Sequence, residues 1–143
     1  MDVLGGMMIL THDLKHHYAS KYLKSKKTII YFFSSSTADN GEFLDALKQF
    51  YEENRKRKVG MEIIYVSSDS SEDEFQEYFK QQGPWIAIPF KASMCDELRW
   101  MYDITYLPQL VVVKKSDGSI ISKRGKEELE KLGINVLVTW MTD

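Results

Sequence analysis

Thr28-Ile29-Ile30-Tyr31-Phe32-Phe33-Ser34-Ser35-Ser36-Thr37-Ala38-Asp39-Asn40-Gly41-Glu42-Phe43 runs from an apolar segment through a polar loop into a helix start. Thr28–Ser34 is rich in β-branched and aromatic residues and almost continuously apolar, the pattern of a strand covered on both faces. Across 39–58 the apolar residues Phe43, Leu44, Leu47, Phe50 and Tyr51 recur at helical spacing, which gathers them on one face. Asp39 or Thr37 is placed to cap the exposed amides, and Glu42 stands at the capping-box position if Asp39 is the cap. The basic turn Arg55-Lys56-Arg57-Lys58 suits the negative end of the helix dipole, with Gly60 as the expected stop.

Outward from this unit, Met61–Ser67 reads as a second buried strand, and 68–71 as a polar turn into a helix carrying Phe75, Tyr78 and Phe79 on one face. Strand, helix, strand, helix in succession implies right-handed crossovers and a parallel core to the sheet. Gly83-Pro84-Trp85-Ile86-Ala87-Ile88-Pro89-Phe90 is bracketed by prolines and predicts a tight apolar segment packed on the core. A helix follows over 92–102 with Met94, Leu98, Met101 and Tyr102 inward; Gln109–Lys114 and 119–122, joined through Asp117-Gly118, form a hairpin. A short helix over 126–132 stops at Gly133, and 134–140 is an apolar tail that docks back. On the N-terminal side, Met7-Met8-Ile9-Leu10 suits a first edge strand and 11–27 a hairpin or short helix.

The totals set bounds. At 143 residues with 43% hydrophobic content, the chain supports one core, so we expect a single domain over 1–143 with its centre at about 28–126. A net charge of -2 gives no broad basic field, and neither nucleic acid nor membrane is an expected partner. The single cysteine, Cys95, excludes an internal disulfide and a multi-thiolate zinc site, and fits a reducing cytoplasmic or nuclear setting rather than secretion. The apolar runs are far shorter than the ~20 residues that span a bilayer.

A strand-helix-strand half followed by a hairpin-helix half, with a proline just before the hairpin, is the layout of the thioredoxin fold. The chain further resembles the tryparedoxin and nucleoredoxin family in Tyr31-Phe32, Phe43, Phe50-Tyr51, Val66-Ser67-Ser68-Asp69, Pro84-Trp85-Ile86-Ala87-Ile88-Pro89-Phe90, Leu98, Tyr102-Asp103-Ile104, Leu107-Pro108-Gln109-Leu110 and Asp117-Gly118. Its tail, with Lys123-Arg124-Gly125-Lys126 and Gly133 before Trp140, is most similar to the nucleoredoxin-like proteins. The resemblance implies an α/β thioredoxin fold: a mixed sheet with a parallel core and a C-terminal antiparallel hairpin, flanked by helices on both faces. Gapless alignment sets Ser36-Thr37-Ala38-Asp39-Asn40 over the family's Trp-Cys-Pro-Pro-Cys, so Thr37 and Asn40 stand at the two thiol positions.

Disulfide exchange needs a thiolate at the first position and a resolving thiol at the second. Threonine and asparagine supply neither, and Asp39 adds negative charge that opposes a thiolate there. What the resemblance leaves in place is a cis-proline at Pro108 and the backbone of Leu107, where family members pair with an extended client peptide. The expected binding residues are Ser36, Thr37, Ala38, Asp39, Asn40, Trp85, Leu107 and Pro108. The expectation is a protein-binding or regulatory module without dithiol chemistry, needing no cofactor or metal, monomeric, with a client protein or peptide as partner. An oxidoreductase acting through Cys95, or a sensor that forms a Cys95-linked dimer, stays open as the alternative.

Bland readings stand beside the sharper ones. Cys95 sits early in a helix, but Asp96 and Glu97 beside it oppose ionisation, so an inert thiol competes with a reactive one. Ser34, Ser35 and Ser36 lack the setting of a hydrolase nucleophile and read as loop and capping residues. His12, His16 and His17 have loose metal spacing and read as a solvated segment. Arg55-Lys56-Arg57-Lys58 reads as a solvated helix end rather than an import or anion patch. Trp85 and Trp100 are read as core aromatics or as walls of a client groove.

Overall fold

Seven strands share one sheet in the order β2-β1-β5-β4-β3-β6-β7 in the computed structural model, which describes residues 7–38 and 40–140. The strands are β1 (Met8–Leu10), β2 (His16–Tyr18), β3 (Thr28–Ser34), β4 (Met61–Ser67), β5 (Ile86–Ala87), β6 (Gln109–Lys114) and β7 (Ile120–Ser122). The helices are α1 (Ala19–Tyr22), α2 (Gly41–Lys56), α3 (Glu72–Gln81), α4 (Ser93–Met101), α5 (Gly125–Leu132) and α6 (Val136–Trp140), with a 3-10 turn at Gly133–Asn135. Strands β3, β4 and β5 run parallel, and the remaining pairings are antiparallel.

Every residue of β3 and β4 is buried, so alternate side chains feed two separate cores. Ile30 and Phe32 join Phe43, Leu47 and Phe50 of α2, Phe75 and Phe79 of α3, and Trp140 of α6. Ile29, Tyr31 and Phe33 join Cys95, Leu98 and Tyr102 on the α4 side. The sheet is thereby covered on both faces, as the near-continuous apolarity of β3 requires.

Several local expectations are corrected. The first strand is not an edge, because 11–27 supplies both a hairpin strand and a short helix, and β2 pairs outside β1. The proline-bracketed segment carries β5, which bridges β4 and β1 through Ile64↔Ile86, Tyr65↔Ala87 and Leu10↔Ala87. Helix α2 ends at Lys56, and the left-handed residue after it is Lys58 (φ 54), not Gly60. Gly60 serves another need: a side chain there would place Cβ 3.2 Å from the Ser25 carbonyl oxygen. On α4, Leu98 and Tyr102 face inward while Met101 and Trp100 are exposed, Trp100 at 87%, because Cys95 occupies the inward turn. The tail does dock: Trp140 is fully buried, edge-on to Phe50 at 5.2 Å, with its indole N–H donating to Glu128 Oε1 at 2.9 Å.

Candidate functional site

The end of β3 and the loop after it are built by side chains as much as by backbone. Ser34 pairs with Ser67 at the end of β4, and the Ser68 amide donates to the Ser34 carbonyl at 2.9 Å. Asn40 then folds back into the loop: its Oδ1 accepts from Ser34 Oγ at 2.6 Å, and its Nδ2 donates to the carbonyls of Ser35 at 3.0 Å and Ala38 at 3.1 Å. Asn40 is buried, and it makes no side-chain cap bond to α2. Thr37 is exposed, with its Oγ1 3.1 Å from Ser35 Oγ, so it does not cap the helix either. Asp39, the other expected cap, lies outside the described residues.

A second wall comes from the β4–α3 connection. Asp69 Oδ1 accepts from the Ser36 amide at 2.6 Å, while its Oδ2 accepts from Tyr65 Oη at 2.8 Å and Ser67 Oγ at 2.6 Å. Ser71 caps α3 by accepting from the Glu74 amide at 3.2 Å, and Ser36 Oγ donates to Glu74 Oε2 at 3.4 Å. Burial first, and then the neighbouring Asp69 carboxylate, push the Tyr65 hydroxyl far above the ordinary tyrosine range. Burial pushes Tyr78 up to about 12, with the Asn40 side chain pulling the other way. Neither phenol is a proton donor or acceptor suited to neutral pH.

The third wall is the approach to β6. The Leu107–Pro108 peptide bond is cis, Pro108 is buried and Leu107 half-buried. Because Gln109 pairs with Phe33, the next register position sets Pro108 beside Ser34. Ser36, Thr37, Ala38, Asn40, Leu107 and Pro108 therefore share one end of the sheet, the carboxyl end of its parallel strands, where open α/β sheets hold ligands.

Trp85 does not belong with them. It is fully buried, edge-on to Phe32 at 6.2 Å and Tyr51 at 5.4 Å, with its N–H donating to Gln82 Oε1 at 2.9 Å. A side chain so enclosed cannot face a client. Cys95 is likewise internal, 3% exposed, with Sγ 3.9 Å from the Pro89 carbonyl; burial raises its pKa to about 11 despite the pull of Arg99. Among the described residues, no three His, Cys, Asp or Glu side chains are placed to hold a metal ion, and no helix is long and apolar enough to cross a membrane. The sequence reading missed Asp69 as the anchor of the loop. The available signal was a polar Ser67-Ser68-Asp69 run closing a buried parallel strand at the ligand-binding end of the sheet.

Comparison with known proteins agrees with this architecture. A family model described as thioredoxin-like matches residues 25–120. Human nucleoredoxin-like protein 1 is 27% identical over 128 residues, covering 85% of this chain and 59% of its own length. Tryparedoxin of Trypanosoma brucei brucei is 29% identical over 105 residues, covering 73% of this chain and 72% of its own. Among solved structures, Carcinoscorpius rotundicauda thioredoxin related protein 16 superposes with a TM-score of 0.85 at 33% identity, over 99% of this chain and all of that one. The chain spans less than two thirds of the length of the nucleoredoxins and nucleoredoxin-like proteins it matches first. With a family model over most of its length and relatives of this kind, the chain belongs to the thioredoxin-like family, alongside nucleoredoxin-like proteins and tryparedoxins.

Proposed function

We propose that this protein is a client-binding or regulatory module that holds an extended peptide at the Leu107–Pro108 end of the sheet and performs no dithiol exchange. The observation that carries the reading is the state of the two expected thiol positions. Thr37 presents a hydroxyl, and the Asn40 amide is consumed inside the loop by Ser34, Ser35 and Ala38. Exchange requires a nucleophilic thiolate and a resolving thiol. The buried, high-pKa Cys95 supports this reading over a lone-thiol oxidoreductase or an oxidation-linked dimer. Peptide pairing by strand addition asks only for main-chain donors and acceptors, so it survives the loss of both thiols. The Carcinoscorpius relative, described with a role in regulating transcription factor NF-kB activity, is a regulatory precedent within the family. A monomer working in the cytoplasm or nucleus is part of the same proposal.

An insulin disulfide-reduction assay tests it: turnover matching a no-protein control is expected, and turnover above that control overturns the inactive-module reading. Thr37→Cys with Asn40→Cys tests the placement of the lost motif. A folded double variant that forms an internal disulfide supports it, and one that remains a free dithiol under oxidation refutes it.

A further inference from the structure

We propose that the pole of the molecule opposite the 35–40 loop carries a binding pocket for a small phosphate-bearing ligand. Three stretches distant in sequence converge there: Lys24, Lys26 and Lys27 before β3; Arg55, Lys56, Arg57 and Lys58 across the end of α2; Lys114 and Lys115 at the end of β6. Backbone bonds tie them together, from the Lys27 amide to the Gly60 carbonyl at 2.7 Å and from the Lys115 amide to the Lys27 carbonyl at 2.9 Å. Helix-dipole compensation accounts for the Arg55–Lys58 turn alone. It does not account for cations arriving from two other loops.

A cleft of about 270 Å³ opens within this pole. Lys26, Arg55 and Lys58 line it with Ser25, and Tyr51 and Asn54, both buried, contribute to its wall. Arg57 is engaged by Glu53 at 3.3 Å, and Lys115 Nζ donates to the Leu23 carbonyl at 2.5 Å. Neither of these cations lines the cleft. The opposing charges are Glu62, a buried carboxyl on β4 that interacts with Tyr51, Lys26 and Arg55, and Glu52, which acts on Tyr51 from α2. Three cations against two carboxyls leave the pocket net positive. The carbonyl end of α2 also faces this pole and opposes an anion in proportion to its charge, so the attraction of the three cations has to outweigh it. A phosphate monoester draws fully on that attraction, with oxygens for the Arg55 fork, two ammonium groups and a serine hydroxyl. The volume falls near the lower bound of small-molecule sites, roughly 300–1,000 Å³, which fits a headgroup or metabolite rather than a polymer.

The test is amide NMR titration of the full chain with inorganic phosphate and with glycerol 3-phosphate. Parallel sedimentation uses phosphatidylcholine vesicles containing a phosphatidylinositol phosphate or phosphatidylserine. Saturable shifts at Ser25, Lys26, Arg55, Lys58 and Gly60 are expected, with a dissociation constant of about 1 mM or tighter. Arg55→Gln with Lys58→Gln, both exposed positions, should weaken binding ~10-fold or more while the far-UV circular dichroism is unchanged. Sedimentation with the phosphoinositide vesicles that this variant abolishes assigns the phosphate to a lipid headgroup; soluble binding without sedimentation assigns it to a free metabolite. Non-saturating shifts spread over all lysines, equal affinity in the variant, or equal sedimentation with phosphatidylserine vesicles would each overturn the proposal.

Discussion

Asp69→Ala should destabilise the protein by about 2–4 kcal/mol, and the size of the loss follows from which donors are left behind. The carboxylate accepts three hydrogen bonds, from the Ser36 amide, Tyr65 Oη and Ser67 Oγ. Each bond to a charged acceptor is worth roughly 1.5–3 kcal/mol, but Ser36 is exposed and water replaces its partner. Tyr65 is different: its ring is fully buried, stacked on Phe75 and Phe79, and without Asp69 its hydroxyl keeps the Ser34 carbonyl at 3.4 Å and the neighbouring Ser67 side chain but loses its charged partner. That buried donor carries most of the cost. For a chain of this size about 1 kcal/mol corresponds to roughly 3 °C, so the melting temperature should fall by roughly 6–12 °C. Urea unfolding followed by circular dichroism measures the free energy directly. A cycle with Tyr65→Phe should show a coupling of about 1 kcal/mol or more. A loss under about 0.5 kcal/mol, or strict additivity in the cycle, would refute the assignment of Asp69 as the loop's anchor.

Other perturbations have equally definite outcomes. Burial raises the Glu62 carboxyl above its ordinary 4.5, so its contribution to stability is full below that value and is lost as pH rises through the folded pKa. Glu62→Gln should accordingly be at least as stable as the parent at neutral pH. Its advantage should vanish on acidification below 4.5, read by urea midpoints across pH. Cys95, with its thiol raised to about 11, should react with iodoacetamide at neutral pH at least ~10-fold more slowly than the urea-unfolded chain; equal rates would contradict the buried placement. Gly125→Ala sets a new Cβ 2.7 Å from Leu110 Cβ and 3.1 Å from its carbonyl oxygen, and should cost about 1–3 kcal/mol in urea unfolding.

Elements whose signal repeats along the chain were legible before any coordinates. The five apolar residues at the centre of β3, the heptad-like face of α2 and the polar turn ending at Ser71 before α3 each state their role locally. The readings that failed depend on partners far away in sequence. Thr37 looks like a helix cap until its hydroxyl is seen beside Ser35, with Asn40 at the cap position and its amide turned back to Ser34 and Ser35. Two residues of β5 are too few for a periodic signal, and they become a strand because β4 and β1 offer pairing on both sides. Trp85 and Trp100 look alike as sequence. One fills the space between Phe32 and Tyr51, whereas the other falls on the solvent side of α4. At the loop, the absence of thiols was plain in the sequence, but the tether from Ser36 to Asp69 spans 33 positions and no local pattern announces it.

The narrow join between the β1–β2 hairpin and the rest of the sheet bears on how the protein opens. Leu10↔Ala87 is the register pair linking β1 to β5, while β3 is zipped to β4 from Thr28↔Met61 to Ser34↔Ser67. Amide protons of β1 and β2 should therefore exchange with deuterated water through a partial opening, well before those of β3 and β4 report global unfolding. Peeling the hairpin away bares an edge of two residues, Ile86 and Ala87, a template too short for a passing chain to extend. What holds this margin in place is therefore less its pairing than Ile9 and Leu10, which are buried one in each core and must be uncovered for it to open.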